Sequence, residues 1–111
     1  MYLKKRMTAI FFVDAKSEED AIEYIKNCIK LYVEKYTLKS TEKYWKISDM
    51  YVVRVVIKVR KDKLSLFFDS LSDTWEEFGW PETDELLASS NNINCKYIKE
   101  RLSLINIFLD E

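Results

Sequence analysis

The chain is nearly free of residues that break regular structure, because its 111 residues include a single glycine, Gly79, and a single proline, Pro81. These two residue types are the strongest sequence signals for turns and loops. Both lie in one short segment, so the rest of the chain is predicted to consist of helices and strands with short connections. The region 76–92 around them is predicted to be a long loop, and long loops in small domains are often functional.

Hydrophobic patterning assigns an element to most of the remaining chain. Apolar side chains spaced three and four apart favour helices, and runs of β-branched and aromatic residues favour strands. The predicted elements are a strand at 7–14, a helix capped by Ser17 with an apolar stripe to Tyr36, a strand at 44–47, a strand at 50–60, a helix from Asp62 to Trp75, and a strand at 102–109. Ser48 and Asp49 form the predicted turn between the two middle strands. Residues 85–88 suit a short strand or a helical turn, and the alternation of Cys95 and Tyr97 suits a strand.

This order of elements predicts the α+β class. The order is strand, helix, strand, strand, helix, then one strand or more, which is typical of a ferredoxin-like split β-α-β sandwich, with a mainly antiparallel sheet and two helices on one face. The length and the 48% hydrophobic content suit a single domain spanning residues 1–111. In the strand at 50–60, Arg54 and Lys58 alternate with inward-pointing residues, which predicts a basic outer surface for this hairpin.

Charge is distributed unevenly along the chain, although the net charge is only −1. The 32 residues between Lys63 and Lys96 hold seven carboxylates and no Lys or Arg, whereas the first 63 residues carry 15 basic and nine acidic side chains. The acidic stretch also contains Trp75, Phe78 and Trp80, and large rings of this kind anchor protein interfaces. The stretch is therefore predicted to bind a positively charged partner. The alternative is a surface loop whose three rings turn inward and cover the core.

Composition excludes several kinds of site. The absence of histidine removes the usual general base and the commonest metal ligand. One glycine cannot build a phosphate-cradling loop, and Cys28 and Cys95 lack the spacing of metal ligands. We therefore expect no enzymatic activity, no metal and no cofactor, and we expect both cysteines to be free thiols.

The sequence offers no sign of a membrane partner. It contains no apolar run approaching about 20 residues, the length that spans a bilayer. The basic N-terminus is followed by only six apolar residues, which is too short for a secretory signal. A cytoplasmic location is therefore expected.

The basic side chains suggest an alternative, a surface for single-stranded nucleic acid. Tyr44 and Trp45 interleave with them, as in sheets that stack bases. The basic residues concerned are Lys4, Lys5, Arg6, Lys39, Lys43, Lys46, Arg54, Lys58, Arg60 and Lys61. The glycine–aromatic signature of such sheets is missing and the net charge is not basic, so no nucleic-acid partner is expected. An enzyme that works through carboxylates or tyrosines without histidine is a further alternative.

The segment 74–89, TWEEFGWPETDELLAS, resembles immunity proteins. These are the cognate inhibitors of polymorphic bacterial toxins, including the toxins of contact-dependent growth inhibition systems. The resemblance implies a cytoplasmic protein that binds a toxin domain, often a nuclease, and blocks its active site or an adjacent surface. It also implies that the chain has no catalytic residues.

In this hypothesis the carboxylates steer and pair with a basic toxin surface, while the rings anchor the complex. The predicted partner-binding residues are Asp69, Asp73, Glu76, Glu77, Phe78, Trp80, Glu82, Asp84 and Glu85. The protein itself would be a monomer or a weak homodimer. The second hypothesis is a small dimeric ferredoxin-like regulatory or adaptor module, which self-associates through its sheet and binds a ligand or a partner protein.

Overall fold

The computed structural model describes residues 4–78 and 85–109, which form a six-stranded antiparallel sheet and two α-helices. The elements follow in the order β1 (Lys4–Asp14), α1 (Glu18–Ile29), β2 (Val33–Lys43), β3 (Met50–Arg60), α2 (Leu64–Leu71), β4 (Glu76–Phe78), β5 (Glu85–Ser89) and β6 (Leu102–Leu109). The predicted α+β class and the antiparallel sheet are confirmed. The sheet has more strands than the four of the predicted split β-α-β pattern.

The strands lie side by side in the order β2-β3-β1-β6-β5-β4. β1 pairs with β3 along its whole length and with β6 on its other side. Strand β3 therefore lies between β1 and β2, the two strands that α1 connects. The β4–β5 hairpin extends the sheet beyond β6.

One face of the sheet is covered by both helices. Alternate residues of β1 and β3 point toward this covered face and are buried, as the period of two in a strand requires. They form one hydrophobic cluster with side chains from α1 and α2, among them Met7, Ala9, Phe11, Val13, Ile25, Ile29, Val53, Val55, Ile57, Phe67, Leu71, Ile105 and Ile107. The opposite face, here called the open face, carries no helix of the described chain.

Helix α1 begins where the sequence predicts it. The Ser17 side chain accepts a hydrogen bond from the Asp20 backbone N–H at 3.1 Å, which satisfies one of the free amides of the first turn. The helix ends at Ile29, however, and the prediction that its apolar stripe continues to Tyr36 is wrong. Val33 already belongs to β2.

Strand β2 replaces both the end of the predicted helix and the predicted strand at 44–47. It is one of the two edge strands of the sheet and most of its side chains are exposed, so it lacks the alternation that identifies a half-buried strand. Its pairing with β3 is interrupted by irregularities at Val33/Lys35 and Leu38/Ser40. Residues 44–49 form the connection to β3, and Ser48 and Asp49 lie in a turn as predicted.

Helix α2 is shorter than predicted. Residues 61–63 form a 3₁₀ turn, and the Asp62 carboxylate pairs with Arg60 at 2.7 Å instead of capping the helix. The helix ends at Leu71, because Ser72 is extended and fully buried. Trp75 therefore lies beyond the helix rather than on its last turn.

The region between α2 and β6 also differs from the prediction. It is not one long loop, since it contains β4 and β5, and residues 85–88 belong to a strand. The predicted strand at Cys95 and Tyr97 is wrong, because that stretch is irregular apart from a single bridge between Ser72 and Ile98. Both cysteines are free thiols, as predicted. Within the described ranges, neither helix has the length and hydropathy of a membrane span.

Candidate protein-binding surface

The register of the sheet arranges the side chains of the open face in rows. Directly paired residues on antiparallel strands point to the same face, with Cβ atoms about 4.5–5.5 Å apart. One row crosses all six strands through Thr37, Val56, Thr8, Phe108, Glu85 and Phe78, and the next row runs through Ser40, Arg54, Ile10, Asn106, Leu87 and Glu76. Each row therefore carries one carboxylate on the β5–β4 side, Glu85 in the first row and Glu76 in the second, and the second row also carries Arg54 on β3.

Four residues at the β4 side of these rows form a surface that we call the acid–aromatic end: Glu76, Phe78, Glu85 and Phe108. Glu85 pairs with Phe78 on one side and with Phe108 on the other, so this half-buried acidic residue lies between two aromatic residues in the row. The rings are 44% and 36% exposed, respectively. One carboxylate oxygen of Glu76 accepts a hydrogen bond from the Asn92 side chain at 3.2 Å.

This arrangement suits a cationic side chain from another molecule. A Lys or Arg above Glu85 would pair with the carboxylate through a charge-assisted hydrogen bond, and its aliphatic stem would contact the apolar rings beside it.

The opposite side of the open face is basic. Arg6, Lys58 and Lys35 lie directly beside one another on β1, β3 and β2, and Lys39 joins them around a cleft of about 320 Å³. We call these four residues the basic cleft. Like charges directly opposite each other on neighbouring strands are destabilising. Lys35 and Lys58 therefore place two like charges side by side on β2 and β3.

Half-buried apolar residues separate the two charged regions. Ile10 and Phe12 of β1 and Leu104 of β6 point to this middle part of the open face, and the Tyr44 ring packs edge-on against Phe12 with 5.2 Å between centroids. The side-chain oxygen of Asn106 is buried here and meets no hydrogen-bond donor within the described chain. An unsatisfied buried acceptor costs about 1–3 kcal/mol.

The structure brings only part of the predicted partner-binding set together. Glu76, Phe78 and Glu85 share the open face. Glu77 pairs with Leu86 and so points to the side of the sheet that the helices cover, although it is itself exposed. Asp69 is exposed on α2, on that same side. Trp80, Glu82 and Asp84 lie outside the described residues.

Asp73 has a structural role instead. Helix α2 ends at Leu71, so Asp73 lies beyond it and does not share a helix side with Asp69. The Asp73 carboxylate accepts hydrogen bonds from the backbone N–H groups of Lys96 and Tyr97 at 3.2 and 3.1 Å. Burial acts to raise the pKa of Asp73, but hydrogen bonds from the Tyr97 amide and from neighbouring groups outweigh it and hold the pKa below its ordinary value.

Trp75 covers the core, as the alternative interpretation of the acidic segment proposed. Its ring packs against Phe68 at 5.3 Å between centroids, and its indole N–H donates to the carbonyl oxygens of Phe68 and Ser72. This ring is therefore not available as an interface anchor.

A second group of charges, at one end of the sheet, is paired internally. The Arg101 guanidinium donates to the Asp14 carbonyl at 2.9 Å and to the Asp20 carboxylate at 2.6 Å, and it stacks over the Tyr24 ring. A hydrogen bond from the Lys16 backbone N–H is the main cause of the lowered pKa of Asp20, and Arg101 adds to it. These contacts join the ends of β1, α1 and β6, so the role of this cluster is structural.

In residues 4–78 and 85–109, no three His, Cys, Asp or Glu side chains are grouped so that they could hold a metal ion. Comparisons of the chain with protein-family models, with curated proteins and with solved structures found no match. The function must therefore be argued from the surface itself.

Sequence reasoning missed two members of the open face. Phe108 alternates with Ile105 and Ile107 in β6, and that alternation was the signal that could have placed it on the uncovered side. Lys35 was assigned to the helix that actually ends at Ile29, which removed it from the basic residues considered.

Proposed function

We propose that this chain is an immunity-type inhibitor, which binds a cognate bacterial toxin domain in the cytoplasm and neutralises it. The observation that carries the proposal is the row Phe78, Glu85, Phe108, an acidic residue between two partly exposed aromatic residues on the face that the helices leave uncovered. The resemblance of the segment 74–89 to immunity proteins supports the same role.

The physical basis of the proposal is charge substitution. A nuclease toxin presents Lys and Arg side chains to its phosphate-rich substrate. Carboxylates on an inhibitor can form ion pairs with these same side chains. Complementary fields raise the association rate, and rings buried in the complex slow dissociation. In this proposal Glu76 and Glu85 pair with the toxin, and Phe78 and Phe108 anchor it.

The binding surface proposed here is smaller than the sequence prediction. Asp73 is engaged with backbone amides, and Asp69 and Glu77 lie away from the open face. Trp80, Glu82 and Asp84 remain sequence predictions for the same interface.

We also propose that the fold is a ferredoxin-like core with one added hairpin. Without β4 and β5, the strand order becomes β2-β3-β1-β6 and the element order becomes β-α-β-β-α-β. That order supports the ferredoxin-like assignment, in which one face of the sheet stays uncovered by helices.

The toxin-binding proposal predicts that a toxin-like domain is encoded beside this gene, and binding to that domain is the test. Glu85→Arg is expected to weaken the complex by about 2–5 kcal/mol, because a cation would replace the carboxylate that meets the toxin's basic side chain. Asp69→Lys is the matched control, an exposed charge reversal on α2, and we expect it to change affinity by less than about 0.5 kcal/mol. Calorimetric titration measures both, and residual toxin activity provides a second readout.

Equal effects of the two reversals would contradict the assignment of the binding surface. Failure of the parent protein to bind or inhibit the neighbouring toxin domain would contradict the inhibitor role itself.

A further inference from the structure

We propose that a second copy of this chain binds the open face, with the acid–aromatic end of each copy on the basic side of the other. This proposal rests on the proposed function, because it concerns the same surface. In the absence of toxin, a second copy of the chain would cover that surface. Self-association can be measured without any toxin, so either proposal can fail alone.

The charge distribution selects one symmetry for such a dimer. Two sheets that stack face to face are related by a two-fold axis lying between them, as closed dimers generally require. If that axis runs parallel to the strands, the strand order is reversed in the second copy, and β5 lies over β3 while β4 lies over β2. If the axis crosses the strands, β3 lies over β3, and cations face cations.

The register then predicts which charges meet. An axis parallel to the strands keeps each residue at its own height along the strand, so Glu85 of the second copy lies over Val56, which is in the same row. Arg54 and Lys58 are two residues away on either side of Val56 and point to the same face. Glu85 of the second copy is thus placed between two cations. Its neighbour Glu76 lies over Ser40, beside Lys39 of the basic cleft.

The angle between stacked sheets preserves this pairing. Aligned sheets cross at about 30°. Neighbouring strands are about 4.8 Å apart, so β3 lies about 7 Å from the two-fold axis. At that distance, a crossing angle of about 30° displaces facing residues by about one position along the strand. Glu85 of the second copy then remains within reach of Arg54 or Lys58.

The size of the face predicts a weak dimer. The six strands span about 24 Å and the longest strands carry four rows over about 20 Å, so the face covers at most about 500 Å² per copy, or about 1,000 Å² in total. That is the lower limit for a specific interface. The central strip of Ile10, Phe12 and Leu104 supplies its apolar part. We therefore expect a dissociation constant in the micromolar range, on the order of 10 µM to 100 µM.

The dimer would occlude the row that the toxin is proposed to use. Arg54 and Lys58 of one copy would form ion pairs with Glu85 of the other copy, in place of a toxin's basic side chains. Toxin binding would then compete with self-association, and dilution would favour the binding-competent monomer.

Sedimentation velocity across about 1 µM to 1 mM of the full chain tests the dimer, with charge reversals on each side of the predicted contact. Glu85→Arg alone, and Arg54→Glu with Lys58→Glu, should each raise the dissociation constant at least about tenfold, because like charges then face each other. The triple variant Glu85→Arg, Arg54→Glu, Lys58→Glu swaps the charges and should return the dissociation constant to within about threefold of the parent value. Asp69→Lys is the control and should leave it unchanged.

Several results would overturn the proposal. A parent chain that stays monomeric across this concentration range would do so. A dissociation constant that neither charge reversal changes would also do so, because the dimer would then form through another surface. A triple variant that is folded by circular dichroism but remains monomeric would also refute the contact. If the parent stays monomeric and inorganic phosphate binds at Lys35, Lys39 and Lys58, detected by amide shifts on β2 and β3, the basic cleft is an anion site rather than a contact between copies.

Discussion

Asp73 and Glu85 show that the same chemical group takes different roles according to its backbone surroundings. The Asp73 carboxylate accepts hydrogen bonds from the backbone amides of Lys96 and Tyr97, and these bonds hold that loop against the end of α2. Glu85 lies in a strand whose amides belong to the sheet, so its side chain is free to point to the open face. Sequence alone predicted one acidic surface for both, because it does not reveal which carboxylates find local N–H donors.

Replacement of Asp73 by Asn should lower stability in a pH-dependent manner. The folded-state pKa of Asp73 is lowered from 3.8, so its contribution is present above that value and is lost as the pH falls through the folded pKa. Asp73→Asn should therefore be less stable than the parent at pH 7, and the two curves should converge in acid. Urea unfolding between pH 7 and pH 2 measures this. A constant difference in unfolding free energy across that range would contradict the role assigned to the charge.

At the scale of elements, the central strands and the start of α1 were predictable and the edge of the sheet was not. β1, β3 and β6 are buried on one face by the helices and flanked by strands on both sides, so their sequences are rich in apolar β-formers. β2 is paired on one side only and its side chains are largely exposed. Its stability comes from pairing with β3, and the local pattern of apolar and polar residues in β2 does not indicate that pairing.

The same reasoning explains the candidate site. The sequence identified Glu76, Phe78 and Glu85 as a group, but the row they form with Phe108 depends on the register of β4 on β5 and of β5 on β6. A shift of one residue in either pairing would send the carboxylates to the covered side. That register is a tertiary property and cannot be obtained from residue spacing.

Helix α2 provides a test of which face the helices cover. Phe67 is fully buried against the sheet, whereas its neighbour Leu66 is 49% exposed. Phe67→Ala should reduce the free energy of unfolding by about 3–5 kcal/mol, since it opens a cavity in the core. Leu66→Ala, the control on the same helix, should cost less than about 1 kcal/mol. Chemical denaturation measures both, and similar losses would mean that α2 does not pack as described.

At the scale of the whole molecule, the unequal charge along the sequence becomes a division across one face. The basic part of the chain supplies β2 and β3, the acidic part supplies β4 and β5, and β1 and β6 separate them. The sequence predicted that the charges would be divided. It could not predict that both halves would share a face, and that arrangement makes the surface complementary to itself as well as to a basic partner.

Methyl NMR can establish which face of the sheet binds, both on self-association and on addition of the toxin domain. Ile10, Leu87 and Leu104 report on the open face, and Ile22 and Leu66 report on the helices. We expect the first three methyl signals to shift with protein concentration and again when the toxin is added, while the two helix signals stay in place. Shifts confined to Ile22 and Leu66, or no shift at any concentration or with the toxin, would show that the open face is not the surface through which this protein binds.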